Sequence, residues 1–382
     1  MHSSFTPLLR KAAFACALLA AQSAGAAQIV IGQVAPLEGL DAFQGRAYSA
    51  GMQLAFDNAN KAGEAPGHTF SLVSKDDGQR PESTLSQTLD LLAEARPLAL
   101  AGYFGNTALA EIVKSGVLPR EKIALVGYRA TEIRADTPYL YNVRADLQDE
   151  IHKMVEHLAT VGIRQLGIFH EAGPGAKALS EAVDTAAQKA GSTVVVRASH
   201  PLGTTQVSSA VRAFLDKPPQ AILILTSGAA GVGFIEQYRM SGGNAQLLAQ
   251  SGTDFEQMAQ RLGYETLRGV TIAQVTPSPY RMSSRLGKEL SDAVAKAPNL
   301  ETSPSYAMME GFIAGKVIVE AVKRIGARPP SREAFVAALD SLRHFDMGGY
   351  SVNYAQGGRS GSHFVELSII SNAGADRGKI RQ

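Results

Sequence analysis

Tryptophan is absent from the 382 residues, and cysteine occurs once, at Cys16. One thiol builds neither a disulfide framework nor a Cys-based zinc centre, so the apolar core alone must hold the fold. Charge is also scarce: 19% of residues are Asp, Glu, Lys or Arg, and the formal net charge is +2. That balance favours neither a nucleic acid nor an anionic membrane as partner. Long apolar runs are missing. The run Ala12 to Ala21 is too short to cross a bilayer, and no later stretch is longer. No G-x-S-x-G elbow and no Walker A sequence occur. The eight histidines are scattered. His152 and His157 are five apart, off the i, i+4 spacing of helical zinc ligands. His170 ends a strand run, where it either lines a cleft or, the favoured reading, is a structural histidine. No metal, no cofactor and no catalytic residue is expected, and the chain is not read as an enzyme.

The N-terminus has the layout of a secretory signal peptide over 1–26. Arg10-Lys11 supplies the positive region, Ala12 to Ala21 the apolar run, and Ala24-Gly25-Ala26 the small residues for cleavage. Cleavage there removes two of the 37 basic residues and none of the 35 acidic ones, leaving 35 of each sign. It also removes Cys16. The expected product is a soluble, exported protein.

The stretch from Leu98 to Thr131 organises the rest. Leu98-Ala99-Leu100-Ala101 and Ile123-Ala124-Leu125-Val126 are buried-strand runs, ended by Gly102 and Gly127. A helix is expected between them, over roughly Thr107 to Ser115. Such a β-α-β unit brings both turns to the carboxyl ends of neighbouring parallel strands, where open α/β sheets bind ligands. Asn106, Thr107 and Thr131 offer amide or hydroxyl groups there. Arg129 offers a fork for a carboxylate, or is simply a surface arginine. Phe43, Tyr103 and Tyr128 are read as apolar walls, with core packing as the alternative for each. Gly173-Pro174-Gly175-Ala176-Lys177-Ala178 imitates a dinucleotide fingerprint. A strand-to-helix turn needs glycines merely to turn, so it is not read as a nucleotide site.

Strand and helix patterns alternate in two separate series, one before and one after Arg144. They predict two doubly wound α/β lobes. Past Pro279 three helices are expected, near 280–296, 305–325 and 331–342. The closing segments Gly349 to Asn353 and His363 to Ile370 are expected to form an antiparallel pair. No low-complexity linker divides the series, so several short crossings should join the lobes.

The order of segments resembles the type I periplasmic solute-binding proteins of ABC transporters, in the branched-chain amino acid-binding group. The resemblance rests on Ile31 to Leu37, Gly51 to Asn60, Asp76-Asp77-Gly78, Gly102 to Thr107, Tyr141 to Ala145, Ser305-Tyr306 with Glu310-Gly311, and Gly361 to Leu367. It covers essentially the whole mature chain. It implies two Rossmann-like lobes joined by a three-crossover hinge, one over 28–143 plus 277–347 and the other over 144–276 plus 348–382. It implies a ligand held between them by hinge closure. The turns matching Asn106-Thr107 and Arg129-Ala130-Thr131 would hold a carboxylate, and the loop at Phe43 and Gln44 would pack the ligand side chain. The second lobe would contribute the turns at Glu171 to Gly175, Ser227 to Ala230, and Gln250-Ser251. The family's amino acid binders often carry an acid near Gln250-Ser251 for the ligand ammonium, and it is absent here. That departure suggests a carboxylate ligand other than a standard amino acid, such as an aromatic or short aliphatic acid, unless Glu171 or Asp254 supplies the acid. The expected partner is a membrane permease, the expected location the periplasm, and the expected state a monomer. A periplasmic sensor that closes in the same way to signal to a receptor is the alternative.

Overall fold

The computed structural model describes residues 27–39, 42–78, 80–130, 137–173, 175–226, 228–354 and 359–370. The expected leader, Cys16, Thr131, Pro174 and Ser227 lie outside these residues.

The first lobe is built on five parallel strands: β1 (Ala27–Ala35), β2 (His68–Asp76), β3 (Ala99–Phe104), β4 (Leu125–Arg129) and β5 (Leu140–Tyr141). Their order is β2-β1-β3-β4-β5. Strand order reverses direction between β1 and β3, which is the switch point where such sheets leave a crevice. The helices α1 (Ala42–Ala62), α2 (Pro81–Ala95), α3 (Asn106–Lys114) and α4 (Val117–Glu121) fall between these strands.

β3 and β4 run past the glycines expected to end them. Gly102 and Gly127 lie inside the strands, at positive φ of 67° and 73°. A Cβ on Gly102 would sit 2.9 Å from the Tyr48 ring, and one on Gly127 would overlap the Tyr48 hydroxyl oxygen. The glycines therefore make room for a fully buried tyrosine of α1 and leave the strands two residues more before the turn.

The second lobe contains β6 (Gln165–Glu171), β7 (Thr193–His200), β8 (Ala221–Ile224), β9 (Gln246–Ala249) and β10 (Thr271–Gln274). With β13 (Glu366–Ile369) they form a six-stranded sheet in the order β13-β10-β9-β8-β6-β7. All neighbours are parallel except β13, which runs antiparallel to β10. The helices are α5 (Leu147–Thr160), α6 (Ala176–Ala190), α7 (Ser208–Asp216), α8 (Gly228–Met240) and α9 (Phe255–Thr266). Leu147, Ile151, Met154, Val155 and Leu158 give α5 one buried face against this sheet.

The chain then returns to the first lobe as α10 (Arg285–Ala295), α11 (Tyr306–Ile325) and α12 (Arg332–Asp340). Fifteen of the twenty residues of α11 are buried, so it is a central helix rather than a surface one. It lies along α1, glycine against backbone. The expected pairing of the two closing segments is not found. β12 (Ser351–Val352) pairs with β11 (Phe345–Asp346) in a hairpin, while β13 crosses to the second lobe. Met347, Tyr350, Val352 and Tyr354 pack in the first lobe's core. The last crossing thus comes after Tyr354, not at the 347/348 boundary read from the sequence. Both segments alternate like strands, and periodicity does not say which sheet takes them.

The chain passes between the sheets near 142–146, 275–284 and 359–365. At the second passage, Glu256 of α9 reaches across. Its Oε1 accepts from Tyr280 Oη at 2.6 Å and from the Tyr306 N–H at 2.9 Å, the first residue of α11. Burial, and then the nearby Asp254 carboxylate, push Glu256 up to about 7. The unfolded value is 4.5, so between 4.5 and about 7 the folded chain holds a proton that the unfolded chain has lost. Stability from this group is therefore present at low pH and is lost as pH rises through about 7. Glu256→Gln keeps a neutral acceptor in place. Thermal unfolding should show a gain of roughly 2 °C or more at pH 8 and a much smaller one at pH 5. A larger gain at pH 5 would contradict the assignment.

Candidate functional site

A cavity of about 440 Å³ lies between the lobes and is lined from both. First-lobe strands lead into it at their carboxyl ends: Pro36 follows β1, Asp77 follows β2, Phe104 closes β3 and Gly105 follows it, and Arg129 closes β4. Asn106, Thr107 and Ala108, the first turn of α3, line it as well. No side chain caps α3 and no acid stands in its first turn. The leading N–H groups of a helix have no intrahelical acceptor, so this end attracts an anion.

The second lobe supplies Glu171 at the end of β6, His200 at the end of β7, Thr226 just past β8, and Gln250 just past β9. Gly203, Thr204 and Thr205, with Gly228, Ala229 and Ala230 of the first turn of α8, complete that wall. Among the described residues its surface is polar or small, with no large aliphatic side chain beyond Leu147 at the first crossing.

A buried set of charges backs the cavity. Arg129 and Arg144 lie on either side of Glu310, with Arg129 Nη2 3.4 Å from Oε1 and Arg144 Nη1 3.5 Å from Oε2. Arg144 Nη2 also binds Glu150 Oε1 at 2.9 Å and the Ser251 hydroxyl. Glu150 accepts in addition from the Ser251 N–H at 2.7 Å and the Ser251 hydroxyl at 2.8 Å. Burial opposes the charge on Arg144, but Glu310 and Glu150 outweigh it and hold the guanidinium above its ordinary value. Burial pushes Glu150 up, against the pull of Arg144 and Ser251. Two arginines and two glutamates sum to zero charge, which is how ions persist at this depth. Because Glu310 sits on α11 and Glu150 on α5, Arg144 ties one lobe to the other at the first crossing.

Of the residues read from the sequence, the structure brings Gln44, Asn106, Thr107, Arg129, Ala130, Glu171 and Gln250 to the cavity wall. The Arg129 fork is already occupied: Nη1 donates to Gln44 Oε1 at 2.7 Å, and Nη2 faces Glu310. The carboxylate it holds is the protein's own. Tyr103 and Tyr128 do not line the cavity. They pair in register on adjacent strands and point to the opposite face, into the core with Leu100, Leu109 and Leu118. The Tyr103 hydroxyl bonds Thr88 at 2.8 Å and is fully buried. Alternation along β3 instead sends the next residue, Phe104, to the cavity. Phe43 is half-buried at the start of α1 and is not part of the wall. Ser251 is 5% exposed and faces Glu150. Asp254 is buried and caps α9 by accepting from the Gln257 N–H at 3.0 Å, away from the cavity.

Sequence reading missed Phe104, Asp77, Arg144, Glu150, His200 and Thr226. Glu310, a lone charge in the otherwise uncharged run 307–315, was the one available signal for the buried network. Among the described residues no cluster of His, Cys, Asp and Glu could hold a metal ion, and no helix is long and apolar enough to cross a membrane.

Two α/β lobes joined by three passages, with a cavity at the facing strand ends, define a bilobal small-molecule receptor. The periplasmic binding protein family model matches residues 28–366, and the chain belongs to that family. A substrate-binding periplasmic protein from Ralstonia solanacearum is 32% identical, with a TM-score of 0.82 over 90% of this chain and 98% of its own. A possible leucine/isoleucine/valine-binding protein from Rhodopirellula baltica is 25% identical, with a TM-score of 0.84 over 95% of this chain and 98% of its own. Leu/Ile/Val-binding protein homolog 7 from Brucella melitensis is 22% identical over 89% of this chain and 88% of its own length.

Proposed function

We propose that the protein is the periplasmic substrate-binding component of an ABC importer. It captures a small carboxylate-bearing ligand, an amino acid or a related organic acid, between its lobes and closes about the three passages. The observation that carries this reading is the uncapped N-terminus of α3 on one wall of a cavity whose other wall belongs to the second lobe. An anion bound there touches both lobes, so binding energy is gained only as they approach. The closed form is the one a membrane permease would accept, as a monomer released from an exported precursor.

Differential scanning fluorimetry of the exported protein against amino acids and carboxylic acids tests the proposal. A ligand at about 100 times its Kd stabilises the folded form by about 2.7 kcal/mol, which raises the midpoint by several degrees. If no member of either class moves the midpoint, the reading fails.

A further inference from the structure

We propose that Asp76 is a positioning residue for the cleft. It holds the loop after β1, residues 36–39, as a fixed lip, and through that loop it keeps Gln44 on Arg129. The proposal rests on the reading of the cleft as the ligand site.

The register of the first sheet makes this possible. Ala35, the last residue of β1, stands opposite Asp76, the last residue of β2. The ladder runs one bond further, from the Asp77 N–H to the Ala35 carbonyl at 3.2 Å. Beyond it the chain parts, from β1 toward α1 and from β2 toward α2. Successive strand side chains leave opposite faces, so the two acids act on different neighbours. Asp77 lines the cavity, and its Oδ2 accepts from Thr84 Oγ1 of α2 at 2.9 Å. Asp76 is not part of the wall. Its Oδ1 reaches over the end of β1 and accepts from the Leu37 N–H at 2.7 Å and the Glu38 N–H at 3.1 Å. Both donors have left the strand ladder, and an ionised acceptor strengthens such bonds.

The held loop carries part of the site. Pro36 is buried and lines the cavity. Arg46 of α1 donates from Nη1 to the Leu37 carbonyl at 3.0 Å, so Leu37 is gripped on both sides. The first turn of α1 rests directly on the loop: a Cβ on Gly45 would overlap the Pro36 carbonyl oxygen. The residue before Gly45 is Gln44, whose Oε1 accepts from Arg129 Nη1 at 2.7 Å. Asp76 therefore sets the loop, the loop sets the first turn of α1, and that turn sets Gln44 against Arg129 in the wall. Glu38 is exposed and Leu37 half-buried, so without the carboxylate their N–H groups turn to water. A ligand must then order the loop as it binds, which costs affinity.

Amide hydrogen exchange on the ligand-free protein tests the placement. The Leu37 and Glu38 amides should exchange at least tenfold faster in Asp76→Ala than in wild type. Asp76→Asn keeps an oxygen acceptor and should restore most of the protection. Calorimetric titration with leucine, glutamate and benzoate tests the consequence. A residue that only stabilised the fold would leave Kd unchanged, because wild type and variant are both folded at the temperature of measurement. Asp76→Ala should instead weaken the best-bound probe at least tenfold, and Asp76→Asn less than threefold. Wild-type exchange at Leu37 and Glu38 in Asp76→Ala overturns the proposal and leaves the cleft reading standing. So does wild-type affinity in that variant. Binding of none of the three probes by wild type counts against the cleft reading, and the exchange rates then decide whether Asp76 holds the lip.

Discussion

Arg144→Met is expected to destabilise the protein by about 3–5 kcal/mol, the cost of leaving buried charges without their partner. Arg144 is 5% exposed and touches two glutamates, each 1% exposed. Methionine fills the space without providing donors. Among the described residues Glu150 then keeps Ser251, and Glu310 keeps Arg129 at 3.4 Å. A domain is typically stable by about 5–15 kcal/mol, so a third or more of that margin disappears. Urea unfolding followed by circular dichroism measures it. Arg144→Met with Glu150→Gln should recover part of the loss, because the second change removes one of the two orphaned charges. If the single variant unfolds at the wild-type urea concentration, the network is not holding the lobes as described. Because Arg144 spans both lobes, the same variant should also bind ligand more weakly.

Gly311→Ala should cost about 2–3 kcal/mol, although alanine is the better helix former by about 1 kcal/mol. The reason is the close approach of α11 to α1. A Cβ on Gly311 would overlap the carbonyl oxygen of Tyr48, and one on Gly51 of α1 would overlap the carbonyl oxygen of Met308. A Cβ on Gly315 would lie 2.6 Å from that of Ala55. The obstacle at Gly311 is backbone, so no side-chain rotation relieves it, and two buried helices must separate. Gly233→Ala in α8 is the matched control: its Cβ meets nothing within 4 Å, so helix propensity alone should act and the variant should be neutral or slightly stabilised. Equal midpoints for the Gly311 variant and wild type in thermal unfolding would refute the packing argument.

The polar second-lobe wall bears on the relatives' names. A branched aliphatic side chain gains roughly 1.5–3 kcal/mol from full burial against apolar surface. Here the groups facing the cavity from that lobe are Glu171, His200, Thr204, Thr205, Thr226 and Gln250, among glycines and alanines.

What the sequence by itself determined is local and periodic. The runs 98–101, 123–126 and 221–225 became β3, β4 and β8, and the helices read near 305–325 and 331–342 became α11 and α12. Strand-end turns marked Asn106 and Thr107 as cavity positions, because alternating β and α segments carry their loops to one edge, while Gln250 was marked only by the family resemblance. Tertiary structure decided the rest. Whether Tyr103 or Phe104 faces the ligand depends on strand register, and a shift by one residue exchanges the faces. Whether β13 pairs with β12 or with β10 depends on which sheet offers a free edge. Whether Arg129 is available depends on Glu310, a helix residue far along the chain. Charge pairing and register are set by distances in space between segments remote in sequence, and no local pattern encodes those distances.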